Sequence, residues 1–272
     1  MARQDALNIY INGETKDKLA ETYGQVIEAV QKGALSEQIK NKNYSGDPTT
    51  GSVEIDRFKN AEINDLGTAR TGNKGDNLVN SGKVVINVDT DKEIVEELAK
   101  KDVKLFGLGA MAEKRKANHI KRMIAYLDRE FFACAEREGT AIESSKTAIA
   151  EKLEELIQSV ETTVNDWVDG VDRDMLVVTV TPAVYGQLRN YIDSVPNSIT
   201  GLTDKMFHEV KIYPNHRQTK SMICMIDGAV AQLVTTDEYD AEKIPLSNDI
   251  ALELFFSKGT KAVMSDLIKF IA

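Results

Sequence analysis

The chain has 272 residues, of which 42% are hydrophobic, and a formal net charge of −9 at pH 7. This length and apolar content are enough for one large globular domain or two smaller ones. The acidic balance argues against binding of a nucleic-acid backbone as the main activity, because such binding needs clustered Lys and Arg side chains. The basic residues at 114–116 and 121–122 are interleaved with acidic ones, which is typical of a solvated helix face.

The termini and the cysteines predict a soluble, intracellular protein. Residues 1–5 lack the apolar core of a signal peptide, and no uncharged apolar run approaches the length needed to span a membrane. Cys134 lies on the apolar side of a predicted helix, and Cys224 lies in an apolar predicted strand. We therefore expect two buried free thiols in a reducing compartment.

An apolar stripe predicts one helix within the first 46 residues. Thr15 is its expected cap and Gly33 its expected end. The residues of the stripe are Leu19, Tyr23, Val26, Ile27 and Val30. Because the stripe is narrow, a neighbouring element must cover it. The polar residues 43–51, which include glycine and proline, predict a linker.

Two strand-like runs, 53–58 and 83–89, then flank a polar, glycine-rich segment at 68–77. A two-stranded ribbon is marginally stable in water by itself. We therefore expect this long hairpin to pack against another molecule. The exit from the hairpin has two interpretations. Thr90 and Glu93 match a capping box and would begin a helix through 94–98, whereas the same residues could continue as a strand.

Downstream, the apolar spacing predicts a long helix over 108–138 that ends at Gly139, and a second helix over 146–168 whose stripe includes Trp167. Residues 175–181 predict a buried strand, because β-branched residues occupy both faces. Pro182 then begins a helix over 183–192. The remaining apolar runs are typical of strands: 209–213, 222–226, 229–234, 251–256, 261–264 and 267–271.

Sequence motifs for catalysis or cofactor binding are weak. Residues 107–112 fit Gly-x-Gly-x-x-Ala after the apolar run 103–106, but the acidic residue of a dinucleotide site would fall inside the long helix, where Asp128 cannot end a strand. Residues 75–83 have six residues between glycines and a strand where a phosphate loop needs a helix. The three histidines, His119, His208 and His216, lack metal-ligand spacing. This pattern favours a structural role over an enzyme.

The order of these elements, together with three motifs, resembles the major capsid proteins of tailed bacteriophages. These proteins have the Hong Kong 97-type fold, which encapsulin nanocompartments share. The most specific motif is 172–188, where Arg173, an apolar strand, Thr181-Pro182 and Tyr185-x-x-Leu188 are similar to the axial domain of the family. The second motif, 85–93 followed by the helix with 127–133, resembles the return of the extended loop and the spine helix. The third, 256–263, resembles the closing strands of the peripheral domain. Residues 206–208 depart from the glycine-aromatic step of many members.

The resemblance implies an α+β fold of the Hong Kong 97 type with four parts, and it favours the strand at 90–98. These parts are an N-terminal arm (1–46), an extended hairpin loop, the E-loop (47–101), a peripheral domain with the spine helix (102–140 and 248–272), and an axial domain (141–247).

The resemblance also implies that the chain forms hexamers and pentamers in an icosahedral shell that encloses double-stranded DNA without sequence-specific binding. The expected partners are further copies of the chain, a separate scaffolding protein or none, and portal and head-completion proteins, with no membrane. The expected location is the virion, after assembly in the bacterial cytoplasm. The predicted intersubunit contacts are Arg70, Gly72, Asn73, Lys74, Gly75, Asp76 and Asn77. No catalytic, cofactor-binding or metal-binding residue is assigned, and no residue motif supports lysine–asparagine crosslinking at Lys74, Lys83, Asn73 or Asn77.

Two alternatives stay open. One is an encapsulin-like protein nanocompartment with the same fold. The other, of a different class, is an α/β enzyme that binds a nucleotide at 107–112.

Overall fold

The structure, a computed structural model, describes residues 13–61, 63, 65, 66, 82–194, 206–236, 240–244 and 249–272. Helices and sheets are both abundant among these residues, so the predicted α+β class is confirmed. The chain divides into two compact units. The first comprises Met1–Gln38, Asn87–Asp128 and Leu233–Gly259, and the second comprises Ile39–Ile86, Arg129–Gln232 and Thr260–Ala272.

The helices within the described residues are α1 (Gly13–Gly33), α2 (Leu35–Ile39), α3 (Lys100–Phe106), α4 (Leu108–Glu138), α5 (Ile149–Glu161) and α6 (Pro182–Ser194). The strands are β1 (Ser52–Arg57), β2 (Gly82–Asn87), β3 (Thr90–Leu98), β4 (Thr140–Ala141), β5 (Val164–Asn165), β6 (Val168–Asp169), β7 (Leu176–Val180), β8 (Met206–Phe207), β9 (Val210–Pro214), β10 (Met222–Ile226), β11 (Val230–Thr236), β12 (Asp240–Lys243), β13 (Ile250–Ala262) and β14 (Ile268–Ile271).

In the first unit, helix α1 buries the predicted apolar stripe. Leu19, Val26 and Val30 belong to the same apolar cluster as Met123 and Leu127 of α4, so the neighbour that the narrow stripe requires comes from the chain itself. The helix ends at the predicted glycine, where a Cβ atom would lie 2.9 Å from the Cδ1 atom of a residue on α4. The prediction that Thr15 caps this helix is wrong, because the helix already includes Gly13.

Strand β3 settles the ambiguous segment 90–98. It pairs antiparallel with β13, from Thr90 opposite Lys258 to Leu98 opposite Ile250. The strand prediction is confirmed, and the helix that the capping box would begin is wrong. The cross-strand partner explains the outcome, since it supplies hydrogen bonds that a local sequence motif cannot reveal.

Helix α3 occupies the run 103–106 that precedes the glycine motif. Of its seven residues only Val103 is buried, as is typical of a short helix on the protein surface. A dinucleotide-binding motif needs a strand before its glycines, and residues 103–106 form a helix instead. The acidic residue at the end of a second strand is also missing. Gly107 follows with a φ of 79°, a positive value that favours glycine, and the chain passes there from α3 into α4.

The long helix α4 has the predicted bounds, Leu108 to Glu138, and its 31 residues span about 46 Å. Its residues up to Asp128 belong to the first unit, where Asp128 is fully buried and accepts a hydrogen bond from the Ser36 backbone N–H at 2.9 Å. Gly139 follows the helix as predicted. A Cβ atom there would lie 2.6 Å from the Ala135 carbonyl oxygen, so only glycine fits.

The second unit is built on a six-stranded mixed sheet with the order β4-β14-β10-β7-β9-β8. All five residues of β7 are buried, as the sequence predicts. β7 is antiparallel to β10 and parallel to β9. Helices α5 and α6 share an apolar cluster with this sheet, to which α5 contributes Leu153, Leu156 and Ile157. Both cysteines of the chain are buried and free, as predicted.

Helix α5 ends at Glu161, so the predicted helix through 168 is wrong. The reason is a tight turn at Asn165, whose Oδ1 atom accepts hydrogen bonds from the backbone N–H groups of Trp167 (2.8 Å) and Val168 (3.0 Å). Strands β5 and β6 pair across this turn. An Asn side chain that bonds to the backbone two residues onward favours a turn over a helix.

Strand β13 is longer than predicted, because it runs without interruption from Ile250 to Ala262 and includes part of the run 261–264. At Gly259 a Cβ atom would lie 2.0 Å from the Asn87 carbonyl oxygen, which only glycine avoids. Of the helices in the described part of the chain, none is long and apolar enough to cross a membrane.

Candidate functional site

Strands β1 and β2 form a separate two-stranded sheet, which we call the ribbon. Its described part is packed within the second unit, since Val53, Ile55 and Ile86 are at most 4% exposed. The expectation that the hairpin packs only against another molecule is therefore wrong for this base. The predicted tip, with the seven predicted contact residues between Arg70 and Asn77, lies outside the described residues.

One carboxylate holds the end of β1. Arg57 donates two parallel hydrogen bonds to Asp266, from Nη1 to Oδ1 and from Nη2 to Oδ2, both at 2.7 Å. Asn165 donates a third, from Nδ2 to Oδ2 at 2.6 Å. Burial raises the pKa of Asp266, but the hydrogen bonds from Arg57 and Asn165 outweigh it and hold this pKa below its ordinary value. The carboxylate is thus charged at neutral pH.

Trp167, the only tryptophan of the chain, lies against both strands of the ribbon. The Arg57 guanidinium lies 5.3 Å from the centre of its ring. On the returning strand, a Cβ atom at Gly82 would lie 2.8 Å from the Cη2 atom of the ring, so glycine permits the close approach. We call Arg57, Asn165, Trp167 and Asp266 the ribbon anchor.

The chain beyond β1 continues along the same turn. Lys59 pairs with Asp166 at 2.9 Å, and the Asn60 backbone N–H donates to the Asp166 carbonyl oxygen at 2.9 Å. Three apolar side chains on the way to the tip are exposed: Phe58 (56%), Ile63 (102%) and Leu66 (107%).

A cleft of about 530 Å³ lies beside the anchor. Its lining includes the apolar Val168, Met264 and Leu267 and the acidic Asp169 and Asp172. Among the described residues, no group of three or more His, Cys, Asp or Glu side chains is arranged to hold a metal ion.

Two of the three histidines that the sequence singles out face carboxylates. His119 Nε2 lies 3.4 Å from Glu96 in the first unit, and His208 Nδ1 lies 3.7 Å from Glu154 in the second. His216 is exposed.

Arg173, the arginine of the most specific family motif, lies in a short 3-10 helix just before β7. It pairs with two carboxylates of α5, Glu161 at 2.6 Å and Glu154. Hydrogen bonds to Glu161 and then Glu154 raise the pKa of its guanidinium above the ordinary value. Arg173 thus ties the central strand to the helix that covers it.

No protein-family model and no curated protein sequence matches the chain. Solved structures do match it. The capsid of the cyanophage P-SCSP1u is similar with a TM-score of 0.61 and 12% identity, over 85% of this chain and 84% of that chain. A virus-like particle from Pyrococcus furiosus matches with a TM-score of 0.56 and 13% identity, over 93% and 98%. A structure from Mycobacterium phage Che8 matches with a TM-score of 0.55 and 14% identity, over 81% and 84%.

The chain has the Hong Kong 97-type capsid fold. Helix α4 lies where the sequence predicts the spine helix, and the ribbon lies within the predicted E-loop, 47–101. The fold predicted from the motifs is thus confirmed, whereas the predicted domain boundaries stay predictions. Identities of 12% to 14% relate the chain to these structures by fold alone.

Sequence reasoning missed the ribbon anchor entirely. Asn165 and Asp266 are 101 residues apart in the chain, Arg57 and Asp266 are 209 residues apart, and no motif connects the three. The one signal in the sequence is Trp167, but its spacing also fits the apolar stripe of a helix.

Proposed function

We propose that the chain is the major capsid protein of a tailed bacteriophage, which assembles as hexamers and pentamers into an icosahedral shell around double-stranded DNA. The observation that carries this proposal is a capsid fold in which a ribbon, anchored in its own subunit, continues into exposed apolar residues. Phe58, Ile63 and Leu66 are uncovered in the single chain and would be covered by a neighbouring copy.

The assembly would use different surfaces on the two partners of each contact. Such heterologous contacts close into rings when the rotation between subunits fits, and rings then close into a shell. In this proposal the ribbon tip, from Arg70 to Asn77, lies on a neighbouring subunit. Its two basic side chains, Arg70 and Lys74, would meet the acidic surface of a chain with a net charge of −9.

The acidic balance also suits a container for DNA. A wall without clustered positive charge does not hold the phosphate backbone tightly, so the genome can be packaged and released. The protein would act in the virion, after assembly in the bacterial cytoplasm. Its partners would be further copies of itself, portal and head-completion proteins, and a scaffolding protein if one is used. We assign it no enzymatic activity.

A protein nanocompartment is the second candidate. The observation in its favour is the match to a virus-like particle from Pyrococcus furiosus, which covers 98% of the chain in that structure. The contents of particles from the native source separate the two functions. Packaged DNA supports the phage capsid, whereas a single enclosed protein without DNA supports the compartment.

The test of shell formation is direct. The purified protein, alone and with a co-expressed scaffolding protein, should form large closed particles in negative-stain electron microscopy and light scattering. Stable monomers at high concentration under both conditions would rule out a shell protein of either kind.

A further inference from the structure

We propose that the ribbon anchor is a positioning device for assembly, in which Asp266 holds Arg57 and Asn165 together and thereby fixes the direction in which the ribbon leaves its subunit. The assembly part of this inference rests on the proposed capsid function. The geometric part concerns the isolated subunit alone.

The contacts on Asp266 have the geometry of a rigid joint. Its two oxygens accept three hydrogen bonds of 2.6 to 2.7 Å from two different segments of the chain. A bidentate pair between guanidinium and carboxylate fixes orientation as well as distance. The side chains of Arg57 and Asp266 are only 17% and 26% exposed, so water competes weakly for these bonds.

Another ion pair on the ribbon lacks these properties. Lys83 and Glu54 join the two strands through one contact of 2.8 Å, and their side chains are 58% and 50% exposed. Exposed pairs with a single contact contribute little to stability or orientation. This pair therefore offers a matched control, because it lies on the same ribbon and carries the same charges.

The anchor also contacts both ends of the segment that contains the tip. Strand β1 ends at Arg57 and β2 begins at Gly82, and both of these residues lie against Trp167. The turn that presents Trp167 is formed by Asn165 Oδ1, while Asn165 Nδ2 bonds to Asp266. A change in the direction of the ribbon must therefore disturb the surroundings of this ring.

Two substitutions test the inference. Asp266→Asn removes the charge at constant size, and Arg57→Lys keeps the charge but removes the planar pair of donors. In isolated subunits, we expect both variants to increase acrylamide quenching of Trp167 fluorescence while circular dichroism stays that of the wild type. Light scattering measures the rate of particle formation. We expect this rate to be at least about tenfold lower in both variants, because each loses at least one charge-assisted hydrogen bond. The control Glu54→Gln should match the wild type in every measurement.

The outcomes separate this inference from the proposed function. Wild-type quenching in both variants, or increased quenching with assembly at the wild-type rate, would overturn the positioning role and leave the capsid proposal intact. Loss of the overall fold in both variants would also overturn it, since the anchor would then hold the unit together instead of directing the ribbon. If the wild type and Glu54→Gln form no particles, the capsid proposal fails, and the quenching result alone decides whether the anchor fixes the ribbon.

Discussion

The protonation of one buried residue, His119, makes the stability of the first unit depend on pH. Its side chain is fully buried on α4, with Nε2 3.4 Å from the Glu96 carboxylate on β3. Arg115, one turn earlier on α4, donates from Nε to the same carboxylate at 2.7 Å. Burial lowers the pKa of His119 and outweighs the Glu96 carboxylate, which favours the charged form. Hydrogen bonds from Arg115 lower the pKa of Glu96.

We expect acid to destabilise the first unit through His119. The unfolded chain protonates this imidazole near pH 6.5, whereas the folded chain protonates it only at lower pH, so stability falls as pH drops below about 6.5. The urea midpoint of dissociated subunits should fall between about pH 7.5 and about pH 5.5, and His119→Gln should reduce this fall. The exposed His216→Gln serves as the control. An equal fall in all three proteins would show that His119 does not cause the effect.

At the scale of elements, the sequence predicts those whose local pattern is strong. Helix α4 and strand β7 appear where expected, because a long apolar stripe and a β-branched run each admit one solution. The C-terminal end of α5 depends instead on a local turn, and the state of 90–98 depends on a partner strand. Asn165 ends the helix region by turning the backbone, and β13 holds 90–98 in a strand. The anchor is a purely tertiary arrangement, so the candidate site could not be predicted from the spacing of its residues.

The ribbon tip is the element that assembly should depend on. Deleting residues 68–80 should leave the circular dichroism and urea midpoint of the subunit close to wild type, because the buried base, including Val53 and Ile86, is retained. Particle formation should be lost. A Gly-Ser segment of the same length, as a second variant, should fail as well, because it lacks the side chains of Arg70, Lys74 and Asp76. Normal particles from the deletion would contradict the role of the tip, and normal particles from the Gly-Ser variant alone would contradict the named contacts.

At the scale of the whole molecule, a shell protein should draw much of its stability from its neighbours. In an assembled shell, burial of Phe58, Ile63, Leu66 and other contact surfaces would stabilise the assembled state, and by mass action this would raise the apparent stability of every subunit. In scanning calorimetry the shell should unfold at least on the order of 10 °C above the dissociated subunit, which corresponds to several kcal/mol for a chain of this size. Equal midpoints for shells and subunits would contradict this expectation.

Because both cysteines are buried, the folded chain can be labelled at a cysteine introduced on its surface. Thiol reagents attack the exposed thiolate, but Cys134 is 2% exposed and Cys224 is fully buried, and burial raises the pKa of the Cys224 thiol far above its ordinary value. The folded chain is thus inert towards maleimides. A cysteine introduced at the exposed Ile63 would be the one reactive thiol, so a single dye could be attached to the ribbon of every subunit without first removing a native cysteine.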